Sequence, residues 1–269
     1  MKKFVRLFFV MTAISLLVVG CSKDKDNEPE SSTGSIKASG ELTATIDGVT
    51  NSTVDSLDFW FETNSTYNYN DVIIGKTKVT NGAFSIKLDT IATKYLYKMK
   101  DAGLVGIDDT TSLKISYAGT TAYISNGDGA WIEAYKSKTP VGSLVRTNCT
   151  LSQYEAEEAD QTFKGLAGAS YIYCNTSVTI TGTAKYTDTD NSYTYTYTYN
   201  YNVSLNKGWN EMVVQLTAVN SSNLTVSVTA NTEPSGMKWL FVPDDEENSK
   251  AMRIAKITKS KIFGKLLSK

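Results

Sequence analysis

Residues 192–205 read SYTYTYTYNYNVSL, in which large side chains alternate with small polar ones. A period of two is the pattern of a β-strand, because successive side chains point to opposite faces of the sheet. The five tyrosines of this run share one face with Val203 and Leu205. If that face enters a core, most of the tyrosines are structural. If the end near the turn stays in water, Tyr193 and Tyr195 form an aromatic platform for a sugar or a partner strand.

Similar alternation on both sides of this run predicts a β meander. Further strands are expected near 178–186, 209–219, 224–230 and 237–242. They are joined by polar or glycine-containing turns such as the one at 206–208. Short strands with such turns favour sandwiches or small barrels over a parallel sheet.

The N-terminal part of the chain carries the same signals. Residues 36–46 alternate between apolar and polar side chains, and Asn81-Gly82 is the strongest hairpin signal in the chain. A turn-rich stretch around 103–111 separates this part from the next. We therefore predict an all-β protein with two β-sandwich-like domains, an N-terminal β domain at 36–110 and a C-terminal one at 111–245.

The first residues of the chain are typical of an export signal. Basic residues precede an apolar run at 7–19, which predicts a signal peptide over 1–20. The stretch Leu17-Val18-Val19-Gly20-Cys21 resembles the lipobox of bacterial lipoproteins. That resemblance implies a lipid group on Cys21, which becomes the new N-terminus and anchors the protein to a membrane.

The segment after the lipid cysteine has the composition of a solvated tether. Residues 21–35 contain charged side chains and then Ser, Thr and Gly, with nothing apolar to bury. The charged part is similar to the export signal of surface lipoproteins of the Bacteroidetes. A plain linker is the alternative interpretation.

The charge of the chain is slightly negative overall but unevenly distributed. The formal net charge of the precursor is -1, and loss of the basic signal peptide makes it more acidic, which argues against nucleic acid as a partner. A tail at 246–269 is rich in lysine. This tail could fold back, bind anionic lipid or sugar, or fray, and its apolar residues fit either a short amphipathic helix or a terminal strand.

No pattern of catalytic or metal-binding residues is visible. The chain has no histidine, which excludes Ser-His-Asp and Cys-His pairs and histidine zinc sites. The run at 188–191 resembles the start of a calcium loop, but tyrosines stand where that loop needs Gly and Glu, so a polar turn is the favoured interpretation. We predict no cofactor, no metal and no enzyme activity.

Two cysteines besides Cys21 admit two interpretations. Cys149 and Cys174 could pair in an oxidising compartment, closing a loop that stabilises the fold by about 3 kcal/mol. The alternative is two buried free thiols.

Two tryptophans are candidate ligand-binding residues. Trp60 alternates with Leu57, Phe59 and Phe61 and therefore lies on the opposite face of its strand. An outward tryptophan either packs on a neighbouring domain or offers a stacking surface to a glycan. Trp131 is flanked by Ala130 and Ile132, and the pattern leaves its direction open.

The C-terminal half resembles uncharacterised outer-membrane lipoproteins of Bacteroides and its relatives. The residues that carry this resemblance are Tyr171-Ile172-Tyr173, the stretch 178–183 and the Gly-Trp turn within 202–210. The resemblance implies an outer-membrane location and carries no known chemistry.

From these features we predict a non-enzymatic lipoprotein, anchored to the outer membrane by its lipid and facing either outward or inward. Its partner would be a glycan or another envelope protein. A fimbrial or accessory structural subunit is the first alternative, because pilins of the Bacteroidetes are two-domain β lipoproteins. An enzyme that cleaves carbohydrate with paired carboxylates is the second.

Overall fold

The computed structural model describes residues 35–50, 52–63, 71–99, 112–125, 130–154, 161–190, 193–220 and 222–244. The predicted signal peptide, the lipid site at Cys21, the tether up to residue 34 and the basic tail at 246–269 lie outside these ranges. Among the helices within them, none has the length and apolar character to cross a membrane.

The described residues are mostly β-strand with almost no helix, so the all-β prediction is confirmed. Within the described ranges, helical structure is limited to α1 (Leu151–Tyr154) and two 3-10 turns at Thr93–Tyr95 and Gln161–Phe163. The strands are β1 (Glu41–Asp47), β2 (Ser56–Glu62), β3 (Asp71–Lys78), β4 (Ala83–Lys87), β5 (Tyr97–Lys98), β6 (Lys114–Tyr117), β7 (Tyr123–Ile124), β8 (Ala130–Lys136), β9 (Thr139–Thr147), β10 (Ala167–Cys174), β11 (Val178–Asp190), β12 (Tyr193–Leu205), β13 (Gly208–Asn220), β14 (Asn223–Ala230) and β15 (Lys238–Pro243).

Seven of these strands surround one hydrophobic cluster, here called the N-terminal core. Their hydrogen-bonded order is β4-β1-β15-β9-β8-β2-β3, and β1 with β15 is the parallel pair. The two ends of this order approach each other, since the Thr77 hydroxyl donates to the Ser85 carbonyl at 2.7 Å and the Asp89 amide donates to the Ile74 carbonyl at 3.1 Å. The result is a nearly closed wall around the aromatic residues Phe59, Phe61, Phe84 and Trp239.

The remaining long strands surround a second cluster, the C-terminal core, in the order β10-β13-β14-β12-β11-β6. Strands β11 and β12 form a long hairpin, and β12 pairs in parallel with β14. Tyr197, Tyr199 and Tyr201 are buried in this core, so the structural interpretation of the tyrosine face is confirmed for them. The side chains of Tyr193 and Tyr195 lie outside the described part of the structure.

Strand β10 is shared between the two cores because both of its faces are buried. Tyr171 and Tyr173 enter the N-terminal core, whereas Ile172 and Cys174 enter the C-terminal core. Strands β8, β9 and β15 all follow residue 110 and yet enclose the N-terminal core. Residues on both sides of the predicted 110/111 boundary thus contribute to the N-terminal core. Hydrophobic alternation shows which face of a strand is buried but not which strand lies beside it.

The Asn81-Gly82 turn is present, with positive φ angles of 53° and 74° that suit a tight turn. A single bridge between Thr80 and Ala83 closes it. Beyond that bridge β4 pairs with β1, and β3 pairs with β2. The predicted turn is confirmed, but the β-hairpin that it was expected to join is not formed. Strands β3 and β4 each pair with a different strand of the wall.

Candidate functional site

Strand β2 presents Trp60 on the outside of the N-terminal core. Leu57, Phe59 and Phe61 are 0% exposed on its inner face, whereas Trp60 is partly exposed. The faces predicted for this strand from alternation are confirmed. The register with β3 shifts between Phe59 and Trp60, where β3 carries one extra residue, Ile74, an irregularity that locally increases twist.

Strand β8 brings the second candidate tryptophan directly beside the first. Trp60 and Trp131 are cross-strand partners in the antiparallel β2–β8 ladder. Their ring centroids are 6.4 Å apart and their planes differ by 9°, so the two indoles lie parallel. Trp131 is also partly exposed, so it lies on the outer face beside Trp60, a direction that the sequence pattern left open.

The next pair along the same two strands consists of carboxylates. Asp58 and Glu133 are cross-strand partners, on the same face as the tryptophans because each lies two residues from one of them. Both are largely buried. The Lys76 ammonium donates to Oδ2 of Asp58 at 2.6 Å, and the Tyr135 hydroxyl donates to Oε2 of Glu133 at 2.5 Å.

Tyr135 stays protonated in this environment. Burial raises the pKa of its hydroxyl well above the usual value, and the hydrogen bond to Glu133 together with the negative charges of Glu133 and Asp58 raises it further. The phenol is therefore a neutral donor at physiological pH. Lys76 has a side chain that is 63% exposed, so its ammonium reaches solvent while it holds Asp58.

These six residues form one surface, here called the tryptophan face: Asp58, Trp60, Lys76, Trp131, Glu133 and Tyr135. It combines two parallel aromatic rings with two carboxylate acceptors, a phenol and an ammonium. Ile73, the cross-strand partner of Trp60 on β3, is 37% exposed and extends the apolar row by one strand. Such a surface can stack on an apolar ring and hydrogen-bond the polar groups at its edge.

No family model, curated protein or solved structure matches the chain.

The two remaining cysteines are free and buried in the structure, which corresponds to the second of the two interpretations of the sequence. Burial raises the pKa of the Cys149 thiol, and it raises the pKa of Cys174 to about 12. Both are thus poor nucleophiles. In the described ranges no group of three or more His, Cys, Asp or Glu side chains is arranged to hold a metal ion.

One cluster of charged residues was not predicted from the sequence. Arg146 and Glu211 are buried where the two cores meet, with Arg146 Nη2 2.8 Å from Oε2 of Glu233 and its Nε 3.8 Å from Oε1 of Glu211. Alternation in β13 puts Glu211 on the same face as Trp209, which was the available signal. Arg146 and Glu211 are buried, so this cluster supports the fold, and Glu233 is its partly exposed member.

Proposed function

We propose that this protein is a non-enzymatic lipoprotein of the outer membrane that binds carbohydrate on the tryptophan face. The observation that carries this proposal is the parallel, partly exposed pair of Trp60 and Trp131, bordered by the carboxylates of Asp58 and Glu133. A protein that packs a tryptophan for stability alone has no need to leave two of them parallel at the surface beside buried polar groups.

The chemistry of the face suits a sugar ring. A pyranose has an apolar side made of C–H groups, which stacks on an indole, and a rim of hydroxyl groups. Carboxylates accept hydrogen bonds from hydroxyls, and such charge-assisted bonds are stronger than neutral ones. Lys76 has further ammonium protons to donate to ring or hydroxyl oxygens, and the Tyr135 oxygen, whose proton goes to Glu133, can accept from a hydroxyl.

A carbohydrate-cleaving enzyme is the second candidate, and the adjacent carboxylates of Asp58 and Glu133 are the observation that favours it. Binding is preferred because both carboxylates already accept bonds, from Lys76 and Tyr135. If the protein hydrolyses a glycan and the Glu133→Gln variant does not, the enzyme is favoured instead.

The membrane anchor, the outer-membrane location and the organisation in two β-sandwich-like domains belong to the same proposal. Lipidation at Cys21 and the lineage rest on the sequence resemblances, and two separate hydrophobic cores support two β units. A Cys21→Ala variant should leave the membrane fraction. A non-permeant protease added to intact cells tests the orientation. If it degrades this protein while a periplasmic control protein stays intact, an outward orientation is favoured over an inward one.

The binding experiment uses the purified full-length protein and a panel of immobilised polysaccharides, with intrinsic tryptophan fluorescence as a second readout. We expect at least one polysaccharide to bind, and Trp60→Ala and Trp131→Ala each to weaken it at least tenfold. Tyr95→Ala is the matched control, because Tyr95 is an exposed aromatic residue outside the tryptophan face. Binding that both tryptophan variants retain, with their melting temperatures unchanged, would contradict the proposal.

A further inference from the structure

We infer that the tryptophan face selects uncharged sugars over acidic ones, and that Asp58 and Glu133 determine this specificity. The inference rests on the proposed function and deepens it by naming the class of ligand. It follows from the positions of charged groups around the Trp60–Trp131 pair.

Carboxylates border the tryptophan pair on both sides. Asp58 and Glu133 form the pair on one side, and Glu62 with its partner Asp71 on β3 forms the pair on the other. Residues two apart on a strand share a face and lie about 7 Å from each other. A sugar ring that stacks on Trp60 therefore directs its edge groups toward carboxylates in either direction along the strands.

The charged groups that border the Trp60–Trp131 pair are mostly negative. Within the two bordering pairs there are four carboxylates, and the ion pair of Lys76 with Asp58 offsets one of them. Partial burial raises the pKa of Asp71, because it removes the carboxylate from water. A uronic acid, sialic acid or sulfate bound here would add an anion to an anionic site, which is unfavourable, whereas a hydroxyl group donates a hydrogen bond to the same oxygens.

Cation binding is the other use that carboxylates could serve. The described carboxylates around the pair do not form a group of three that could enclose a metal ion. Asp58 and Glu133 instead each accept a hydrogen bond from a neighbouring side chain, Lys76 and Tyr135 respectively. This arrangement orients acceptor oxygens, as required for reading hydroxyl groups.

The test compares two polymers with the same ring, neutral galactan and anionic polygalacturonate, by calorimetric titration of the full-length protein at low and physiological salt. We expect galactan or another neutral polysaccharide of the panel to bind at least tenfold more tightly than any acidic one. The difference should shrink at higher salt, because screening weakens the repulsion. Asp58→Asn and Glu133→Gln should each weaken neutral binding about tenfold and reduce the discrimination.

Asp47→Asn is the matched control, because Asp47 is also a strand carboxylate paired with a lysine, Lys238, at 2.6 Å but lies on β1. Lys76→Gln is a second variant that leaves all carboxylates in place, and it should weaken acidic polymers further. Acidic polymers that bind as tightly as neutral ones, with binding lost in Trp60→Ala, would overturn the selectivity while leaving carbohydrate binding intact. Failure of every polysaccharide to bind would overturn both.

Discussion

The Ser35 hydroxyl donates a hydrogen bond of 2.8 Å to Oε2 of Glu211, a residue 176 positions further along the chain. Oε1 of the same carboxyl accepts a bond of 3.2 Å from the Tyr171 hydroxyl. Tyr171 belongs to the strand that both cores share. The residue at which the predicted tether ends is thus fastened at the meeting place of the two cores.

Stability should depend on pH through Glu211. Burial raises the pKa of this carboxyl from 4.5 to about 7, the charge of Glu233 adds to the effect, and Ser35, Arg146 and Tyr171 oppose it. Because the folded state binds more protons than the unfolded state between these values, the free energy of unfolding should fall as pH rises from about 4.5 to 7. The loss is on the order of 3 kcal/mol.

Denaturant unfolding at several pH values between 4.5 and 8 measures this dependence. Glu211→Gln should flatten it, whereas Glu41→Gln, at an exposed position, should leave it unchanged. An equally steep decline in the Glu211→Gln variant would show that another group is responsible.

Removal of one ring from the tyrosine face should destabilise the C-terminal core. Tyr199 is buried between Tyr197 and Tyr201, with ring centroids 6.2 and 6.3 Å away. Tyr199→Ala leaves a cavity and should cost about 3 to 5 kcal/mol in unfolding free energy, measured by denaturant titration. Tyr95→Ala, at an exposed position, should change it by less than about 0.5 kcal/mol.

Gly208 should not tolerate a side chain. Its φ is +100°, and a Cβ atom there would lie 2.4 Å from the Ala38 carbonyl oxygen. Gly208→Ala combines backbone strain with a collision and should cost roughly 2 kcal/mol or more. Gly119→Ala separates the two effects, since Gly119 also has a positive φ, +88°, but has nothing within 4 Å of the added atom. Equal losses of melting temperature in both variants would mean that the contact with Ala38 is unimportant.

The thiols of Cys149 and Cys174 should react only after unfolding. Their burial and raised pKa values leave little thiolate, which is the reactive form. In a Cys21→Ser variant, a disulfide-exchange reagent should detect no thiol in the folded protein and two in denaturant. If the reagent detects no thiol in denaturant without reductant, the two residues form a disulfide.

Features that depend on neighbours in the chain were predictable from sequence. The direction of Trp60 follows from its alternation with Leu57, Phe59 and Phe61, and the turn at Asn81-Gly82 follows from the tolerance of these residue types for positive φ. Burial of Tyr197, Tyr199 and Tyr201 follows from their sharing a face with Val203. In each case the cause is local, because a strand alternates its side chains whatever lies beside it.

What only the tertiary structure decided is which strands lie side by side. The placement of Trp131 against Trp60 requires β2 to pair with β8 in one register, and a shift of one residue would turn one ring to the opposite face. The bond from Ser35 to Glu211 likewise requires the two cores to meet at β10 and β13. Such pairings depend on how all the apolar faces pack together at once, and no local stretch of sequence encodes them.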